Sequence, residues 1–162
     1  MSSQPPLSEY LRFLFRSEQG RIGKRAWWQG VAILAAVAMV STLGWKILEP
    51  YANRGLDERA MLNPMTVVTY SYSLVYALVI VLCAVSYTML TVKRRRDRGR
   101  STALAGLVPF VVFLSGATHW LQPRVKEVMS YNWVYGIDLL MLAVIIWTIF
   151  DLGMHDQKAP SE

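Results

Sequence analysis

The sequence has few charged residues for its length. Charged side chains make up 17% of the 162 residues, whereas ordinary soluble domains carry ~25%. Hydrophobic side chains make up 54%. The high hydrophobic fraction argues against a disordered chain, and the low charged fraction argues against an average soluble enzyme.

Groups that carry catalytic or metal-binding chemistry are also scarce. The one cysteine, Cys83, has no second cysteine with which to form an internal disulfide. Together with two histidines, His119 and His155, it makes no Cys/His cluster of the kind that holds structural zinc. The chain also lacks an HExxH motif and a Gly-rich phosphate loop. We therefore expect no metal, no cofactor and no enzymatic activity.

What the chain has instead is long uncharged runs. A helix needs ~20 mostly apolar residues to cross the ~30 Å hydrocarbon layer of a membrane. Four runs meet this length, and only the last contains a charge, Asp138: they are 26–45, 60–92, 101–123 and 128–150. A soluble bundle would show a polar face on every helix, but residues 31–40 include no polar side chain. The runs therefore predict four transmembrane helices.

The predicted fold is all-α: an integral-membrane four-helix bundle with a short amphipathic interfacial helix at the N-terminus. Tryptophans near the ends of the runs support the boundaries, because Trp is enriched at membrane interfaces. Asn63 and Pro64 are expected to form the turn before the second helix, and Pro109 is expected to kink the third. The predicted tails are 1–26 and 153–162, and the transmembrane domain 27–152 has spans near 27–46, 66–92, 102–121 and 134–152.

Positive charge predicts how the chain is oriented. Twelve of the seventeen Lys and Arg residues fall in the N-terminal tail, the 93–100 loop and the C-terminal tail. Cytoplasmic loops carry the excess of Lys and Arg, so both termini and this loop are expected in the cytoplasm. Because the loop is short and is held between two helices, we expect no nucleic-acid binding.

The N-terminal tail contains an amphipathic segment. Ser8 is expected to cap a short helix with Glu9 in its first turn, and the apolar residues that follow are flanked by Arg12 and Arg16. This pattern predicts a helix lying on the inner membrane surface. The basic residues expected to face anionic lipid headgroups are Arg12, Arg16, Lys93, Arg94, Arg95, Arg96 and Arg98.

Two basic segments give the chain a family resemblance. A Gly-Arg pair at 20–21 leads through basic residues and two tryptophans into the first helix, and a second Gly-Arg pair at 99–100 precedes the third. This plan resembles the bacterial membrane-protein family DUF805, a domain of unknown function. That family carries an Arg-Arg-Leu-His-Asp-x-Gly-Arg-Ser loop, which Lys93, Arg94, Asp97, Gly99, Arg100 and Ser101 match in register.

The same comparison identifies the chain as a divergent member. Arg95 and Arg96 replace the Leu-His of the family loop, and Thr102 and Ala103 stand where Gly-Trp is usual. The Asn-x-Tyr-Gly type of tail is replaced by the sequence at 153–156. The resemblance implies a location in the bacterial inner membrane and assigns no activity.

The matched loop suggests a structural clamp. Gly99 is expected to take the left-handed conformation that ends the second helix, and Ser101 to cap the third. Asp97 then lies in a last helical turn, where the helix dipole disfavours negative charge. We expect its carboxylate to accept hydrogen bonds from Arg21, Lys24, Arg25 or Arg100. The alternative is a water-exposed Asp97 that only reduces repulsion between the loop cations.

Polar residues inside the spans are the remaining candidates. Asp138 is expected either to pair with Lys46, Arg124 or Lys126, or to take part in proton or ion movement. The second span carries a polar stripe at helical spacing, which is expected to face other helices. Its members are Thr69, Ser73, Tyr76, Cys83, Tyr87 and Thr91.

Two functions are consistent with this pattern. The first is a small, non-catalytic membrane protein of unknown biochemical role that acts through lipids, through another membrane protein or through self-association. The alternative is a subunit of a small-solute or ion transporter or channel, with Asp138 and the polar stripe lining the path.

Overall fold

The computed structural model describes residues 7–17, 19–52, 64–122, 125 and 130–154. Every regular element in this part of the chain is helical. The helices are α1 (Leu7–Arg16), α2 (Lys24–Ala52), α3 (Pro64–Asp97), α4 (Leu107–Leu121) and α5 (Tyr131–Thr148), and α5 continues as a π-helix, Ile149–Met154.

Three helices are long and apolar enough to cross a membrane. They are α2, α3 and the continuous helix Tyr131–Met154 formed by α5 and the π-helix. The fourth apolar helix, α4, has 15 residues, or roughly 22 Å at ~1.5 Å per residue, which is less than the ~30 Å hydrocarbon layer. The expectation of four full-length spans is therefore met only in part: three helices are long enough, and the third predicted span corresponds to a helix of 15 residues.

The end of α3 and the start of α4 show why the third span is short. Gly99 takes the predicted left-handed conformation, with φ 64°. The Arg100 N–H donates to the Arg95 carbonyl at 2.9 Å, and the Gly99 N–H donates to the Arg96 carbonyl at 3.1 Å. These two bonds form a Schellman motif, which ends α3. A turn over residues 102–106 then separates the two helices.

Two predictions at this point are wrong. Ser101 does not cap α4, because its Oγ instead accepts from the Ala103 N–H at 3.3 Å within the preceding turn. Pro109 does not interrupt α4 at its middle, because the helix begins only at Leu107. In the first turn a proline is tolerated, since the N–H groups there have no intrahelical acceptor.

The N-terminal amphipathic helix is present as α1. It begins at Leu7, so Ser8 lies inside its first turn rather than at the cap, and Glu9 is in that first turn as expected. Leu14 is buried at 1% exposure, whereas Arg12 and Arg16 are exposed. One face of α1 therefore packs on the protein, and the opposite face presents arginines.

The chain divides into two compact units. One is Val31–Ser86 and comprises most of α2 and the first part of α3. Within it the Tyr72 hydroxyl donates to the Ser41 carbonyl at 2.8 Å, next to Gly44, where a side chain would collide with the tyrosine. Trp45 stacks on Tyr76 with 6.0 Å between ring centroids. These aromatic contacts hold the two helix segments together.

The other unit comprises Met1–Gly30 and Tyr87–Glu162. Gly30 lies against Leu90, whose Cδ1 would be 2.7 Å from a Cβ at that position. Trp27 is buried at 1% exposure, so this tryptophan is a core residue and not the interfacial marker that the sequence suggested. The helices α4 and α5 pack along each other in the same unit.

Candidate functional site: a buried cationic junction

The basic residues at the end of α3 are buried. Lys93, Arg94 and Arg95 have 0%, 1% and 3% exposure. The prediction that these three face lipid headgroups is therefore wrong. We call the group formed by Lys93, Arg94, Arg95, Arg98 and Arg100, with Asp97 and Asp151, the cationic junction.

Lys93 joins α3 to α1. Its ammonium donates to the carbonyl oxygens of Phe13 and Leu14, the latter at 3.0 Å. These carbonyls belong to the last turn of α1, where backbone acceptors have no intrahelical donor and the helix dipole is negative. The same ammonium lies 4.5 Å from the Phe13 ring centroid, a cation–π contact. Lys93 thus caps the amphipathic helix.

Arg94 links two segments of the chain. Its Nη1 lies 2.7 Å from Asp97 Oδ2, one helical turn away, and its Nε donates to the Leu152 carbonyl at 3.1 Å. Asp97 therefore does bind a basic nitrogen, but the nitrogen belongs to its own helix. The expected contacts of Asp97 with Arg21, Lys24 or Arg25 stay predictions, and Arg100 binds a different carboxylate.

That carboxylate is Asp151, which accepts from three arginines. Arg98 Nη1 and Arg100 Nη1 lie 2.9 and 2.6 Å from Oδ1, and Arg95 Nη2 lies 3.4 Å from Oδ2. Asp151 is 7% exposed and is carried by the π-helix, a rare element that often occurs at functional positions. Asp151 therefore joins the π-helix to the end of α3.

The start of α2 binds the end of the same π-helix. Trp28 Nε1 donates to the Gly153 carbonyl at 3.1 Å, and Lys24 Nζ lies 3.5 Å from the Met154 carbonyl. A Cβ at Gly153 would lie 2.8 Å from Trp28 Cζ2, so the close approach needs glycine. The unpaired carbonyls of the final helical turn are thus bound by donors from α2 and α3.

The junction has an excess of positive charge. Among the described residues, the five cations of the junction are accompanied by two carboxylates, Asp97 and Asp151. The C-terminal ends of α1 and of the π-helix add roughly half a negative charge each, which still leaves more positive than negative charge. Arg95 also stacks on Trp147, with 5.5 Å from its guanidinium carbon to the ring centroid. Its Nε is buried and, among the described residues, has no acceptor.

The other predicted basic residues remain at the surface. Arg12, Arg16, Arg21, Arg25 and Arg96 are exposed, and Lys24 is half-buried. Arg12 and Arg16 stand one turn apart on α1 and line shallow grooves there. The sequence-predicted cations thus fall into a buried set that binds this chain and an exposed set.

Asp138 has partners that the sequence pattern does not indicate. Ser115 Oγ donates to its Oδ1 at 2.6 Å, and His119 Nε2 lies 2.9 Å from its Oδ2. Both partners come from α4. Of the three predicted partners, Lys46 pairs with Glu49 at 2.9 Å, and Arg124 and Lys126 lie outside the described residues. His155 lies outside them as well.

The polar stripe of α3 makes local hydrogen bonds. Thr69 and Ser73 donate to the carbonyls of Met65 and Tyr70 in their own helix, at 2.8 and 2.7 Å. Tyr76 lies 3.3 Å from the Thr42 hydroxyl. Cys83 and Tyr87 are half-buried, and Thr91 is buried. The hydroxyls of Thr69, Ser73 and Tyr76 are thus occupied within the fold.

The residue that sequence reasoning missed is Asp151. It directly follows the fourth uncharged run, so its position resembles the beginning of a polar tail. One signal could have indicated it. The segments assigned to the cytoplasmic side have many cations and few carboxylates, so each carboxylate there is a candidate partner for several cations.

The three long apolar helices indicate a membrane protein. The chain belongs to the DUF805 family, described as a protein of unknown function, whose family model matches residues 15–159. The match covers nearly the whole chain and confirms the resemblance. No curated protein and no solved structure matches the chain.

Proposed function

We propose that the protein is a multi-pass protein of the bacterial inner membrane, with both termini in the cytoplasm and no catalytic activity. It acts by binding anionic lipid headgroups at its cytoplasmic surface, alone or together with another membrane protein or a second copy. The observation that carries this proposal is the exposed arginine face of α1, which Lys93 fixes to α3.

Two features support lipid binding through α1. Arg12 and Arg16 are exposed, while Leu14 on the opposite face is buried. The bond from Lys93 to the last turn of α1 favours this orientation of the helix before it meets a membrane. Pre-organisation lowers the entropy cost of binding. Each arginine near an anionic surface contributes ~1 kcal/mol, and two act together here.

The test uses the full chain reconstituted with equal amounts of phosphatidylglycerol and phosphatidylcholine. Native mass spectrometry then counts the lipids that remain bound. We expect enrichment of phosphatidylglycerol around the unmodified protein, and a several-fold lower enrichment for the double variant R12Q/R16Q.

The matched control keeps the charge. R12K/R16K retains both positive charges on α1 and should retain most of the enrichment. Equal retention of the two lipids by the unmodified protein, or unchanged enrichment in R12Q/R16Q, would contradict the proposal.

Transport is the second candidate, and the contacts of Asp138 favour it. Asp138 lies 2.9 Å from His119, a second titratable group, and carboxylate–histidine pairs inside spanning helices occur in proton relays. The test is flux of protons or small cations through reconstituted vesicles. Loss of flux in Asp138→Asn supports transport, whereas vesicles without measurable flux in the unmodified protein support the lipid-binding proposal alone.

A further inference from the structure

We infer that the cationic junction binds a phosphate group through Arg95, Arg98 and Arg100. The inference deepens the lipid interaction proposed above by naming the chemical group that is recognised, and to that extent it rests on the proposed function. It involves different residues, because Arg12 and Arg16 take no part in it.

The first observation is the charge around Asp151. One carboxylate accepts from three guanidinium groups, so their positive charge exceeds the negative charge of this shared partner by two in the described part of the chain. Asp151, Arg95 and Arg98 have side-chain exposures of 5%, 4% and 10%. Buried charge is costly unless it is paired. A further anion would therefore stabilise the junction.

The second observation is the set of N–H donors without an acceptor. A guanidinium has five donors, yet Arg98 and Arg100 each make one hydrogen bond to Asp151 in the described structure. Arg95 adds Nε, a buried donor with no partner among the described residues. Of these donors only Arg95 Nε is buried without a partner in the described part of the chain, which is uncommon in folded proteins, while the Arg100 side chain is 53% exposed. These donors are suited to an oxyanion with several acceptor oxygens.

The third observation is access. The Arg100 side chain is 53% exposed while its Nη1 binds Asp151. Arg100 belongs to the Schellman motif that ends α3, beyond the uncharged run of that helix. A charged residue past the apolar part of a spanning helix is on the side of the lipid headgroups. Arginine forks match phosphate oxygens in a bidentate geometry, which favours phosphate over chloride.

The experiment follows thermal unfolding of the full chain in neutral detergent by intrinsic tryptophan fluorescence. One arm adds inorganic phosphate, and its control adds chloride at the same ionic strength. The other arm adds dihexanoyl phosphatidylglycerol, and its control adds dihexanoyl phosphatidylcholine. We expect Tm to rise with the logarithm of the ligand concentration above Kd, by about 5–10 °C at a hundred times Kd.

The variants identify the site. Arg100→Gln should lose the rise in Tm, and Arg12→Gln, which removes the same charge from α1, should keep it. If Arg100→Gln does not fold, Arg100→Lys provides the test. It keeps the positive charge but lacks the guanidinium group that can bind two phosphate oxygens at once. It should weaken the apparent affinity about tenfold or more.

The outcomes separate the sources of phosphate and the two proposals. A rise with phosphatidylglycerol alone assigns a lipid headgroup, and a rise with inorganic phosphate assigns a free anion as well. A Tm no higher than with chloride or phosphatidylcholine, or the same rise in the Arg100 variants, overturns the inference. In that case a loss of lipid enrichment in R12Q/R16Q still supports the lipid-binding proposal, because that test does not involve Arg100.

Discussion

Arg94 Nε lies 3.1 Å from the carbonyl oxygen of Leu152, 58 residues further along the chain. This bond joins the last turn of α3 to the final helix of the described structure. It is one of several contacts made by the basic residues at the end of α3. In the sequence these residues look like a membrane-topology signal, but in the fold they bind the C-terminal carbonyl groups of other helices and one shared carboxylate, Asp151. The motif residues at 93–101 therefore hold segments of this chain together.

Asp151→Asn should destabilise the protein strongly. The substitution keeps the shape but removes the negative charge that three arginines share. Breaking a buried ion pair from one side costs about 3–5 kcal/mol. Thermal unfolding in detergent measures the loss. Glu49→Gln is the matched control, because Glu49 pairs with Lys46 at an exposed position and should cost ~0–1 kcal/mol. Equal effects of the two substitutions would contradict the account.

Lys93→Met should release α1 without unfolding the spanning helices. The variant keeps an apolar stem of similar length but no longer donates to the Phe13 and Leu14 carbonyls. We expect faster amide hydrogen exchange across α1, with little change in α5. Arg25→Met removes a charge at an exposed position and should leave the exchange of α1 unchanged. Protection of α1 that survives Lys93→Met would show that the cap does not fix this helix.

Gly153→Ala should disturb the contact with Trp28. The new Cβ would stand 2.8 Å from Trp28 Cζ2, and overpacking of this kind costs about 1–3 kcal/mol. A lower Tm and a changed tryptophan emission report the effect. Gly116→Ala places a Cβ in open space on α4 and should be neutral or stabilising by up to ~1 kcal/mol. A harmless Gly153→Ala would mean that the Trp28 contact is loose.

The orientation of the chain stays a prediction, and reporter fusions test it. A reporter fused after Glu162 should report the cytoplasm, and one inserted next to Gly55 should report the opposite side. The reason is the excess of Lys and Arg in the two tails and the 93–100 loop. The reverse pattern of reporter activity would refute the assigned topology.

Much of the helical plan follows from the sequence, because long uncharged runs have few other stable arrangements. The Gly99 turn was also predictable, since a left-handed position after a helix favours glycine. The short α4 was not, because the turn at 102–106 is as uncharged as the helix that follows it.

The burial of Lys93, Arg94 and Arg95 was not predictable from the sequence either. Whether a cation faces lipid or protein depends on acceptors that only the fold brings near. Those acceptors are carbonyls of α1 and the π-helix, which any sequence would supply, and Asp151, which is placed by a local change in helix type.

The central claim is that the basic end of α3 binds this chain's own acceptors, and a double-mutant cycle between Arg98 and Asp151 tests it most directly. The free energy of unfolding is compared for the unmodified protein, Arg98→Gln, Asp151→Asn and the double variant. Because Arg98 Nη1 lies 2.9 Å from a buried Asp151 Oδ1, we predict a coupling energy of at least ~1 kcal/mol. Additive effects within ~0.3–0.5 kcal/mol would contradict the claim, because they would show that the two side chains do not interact.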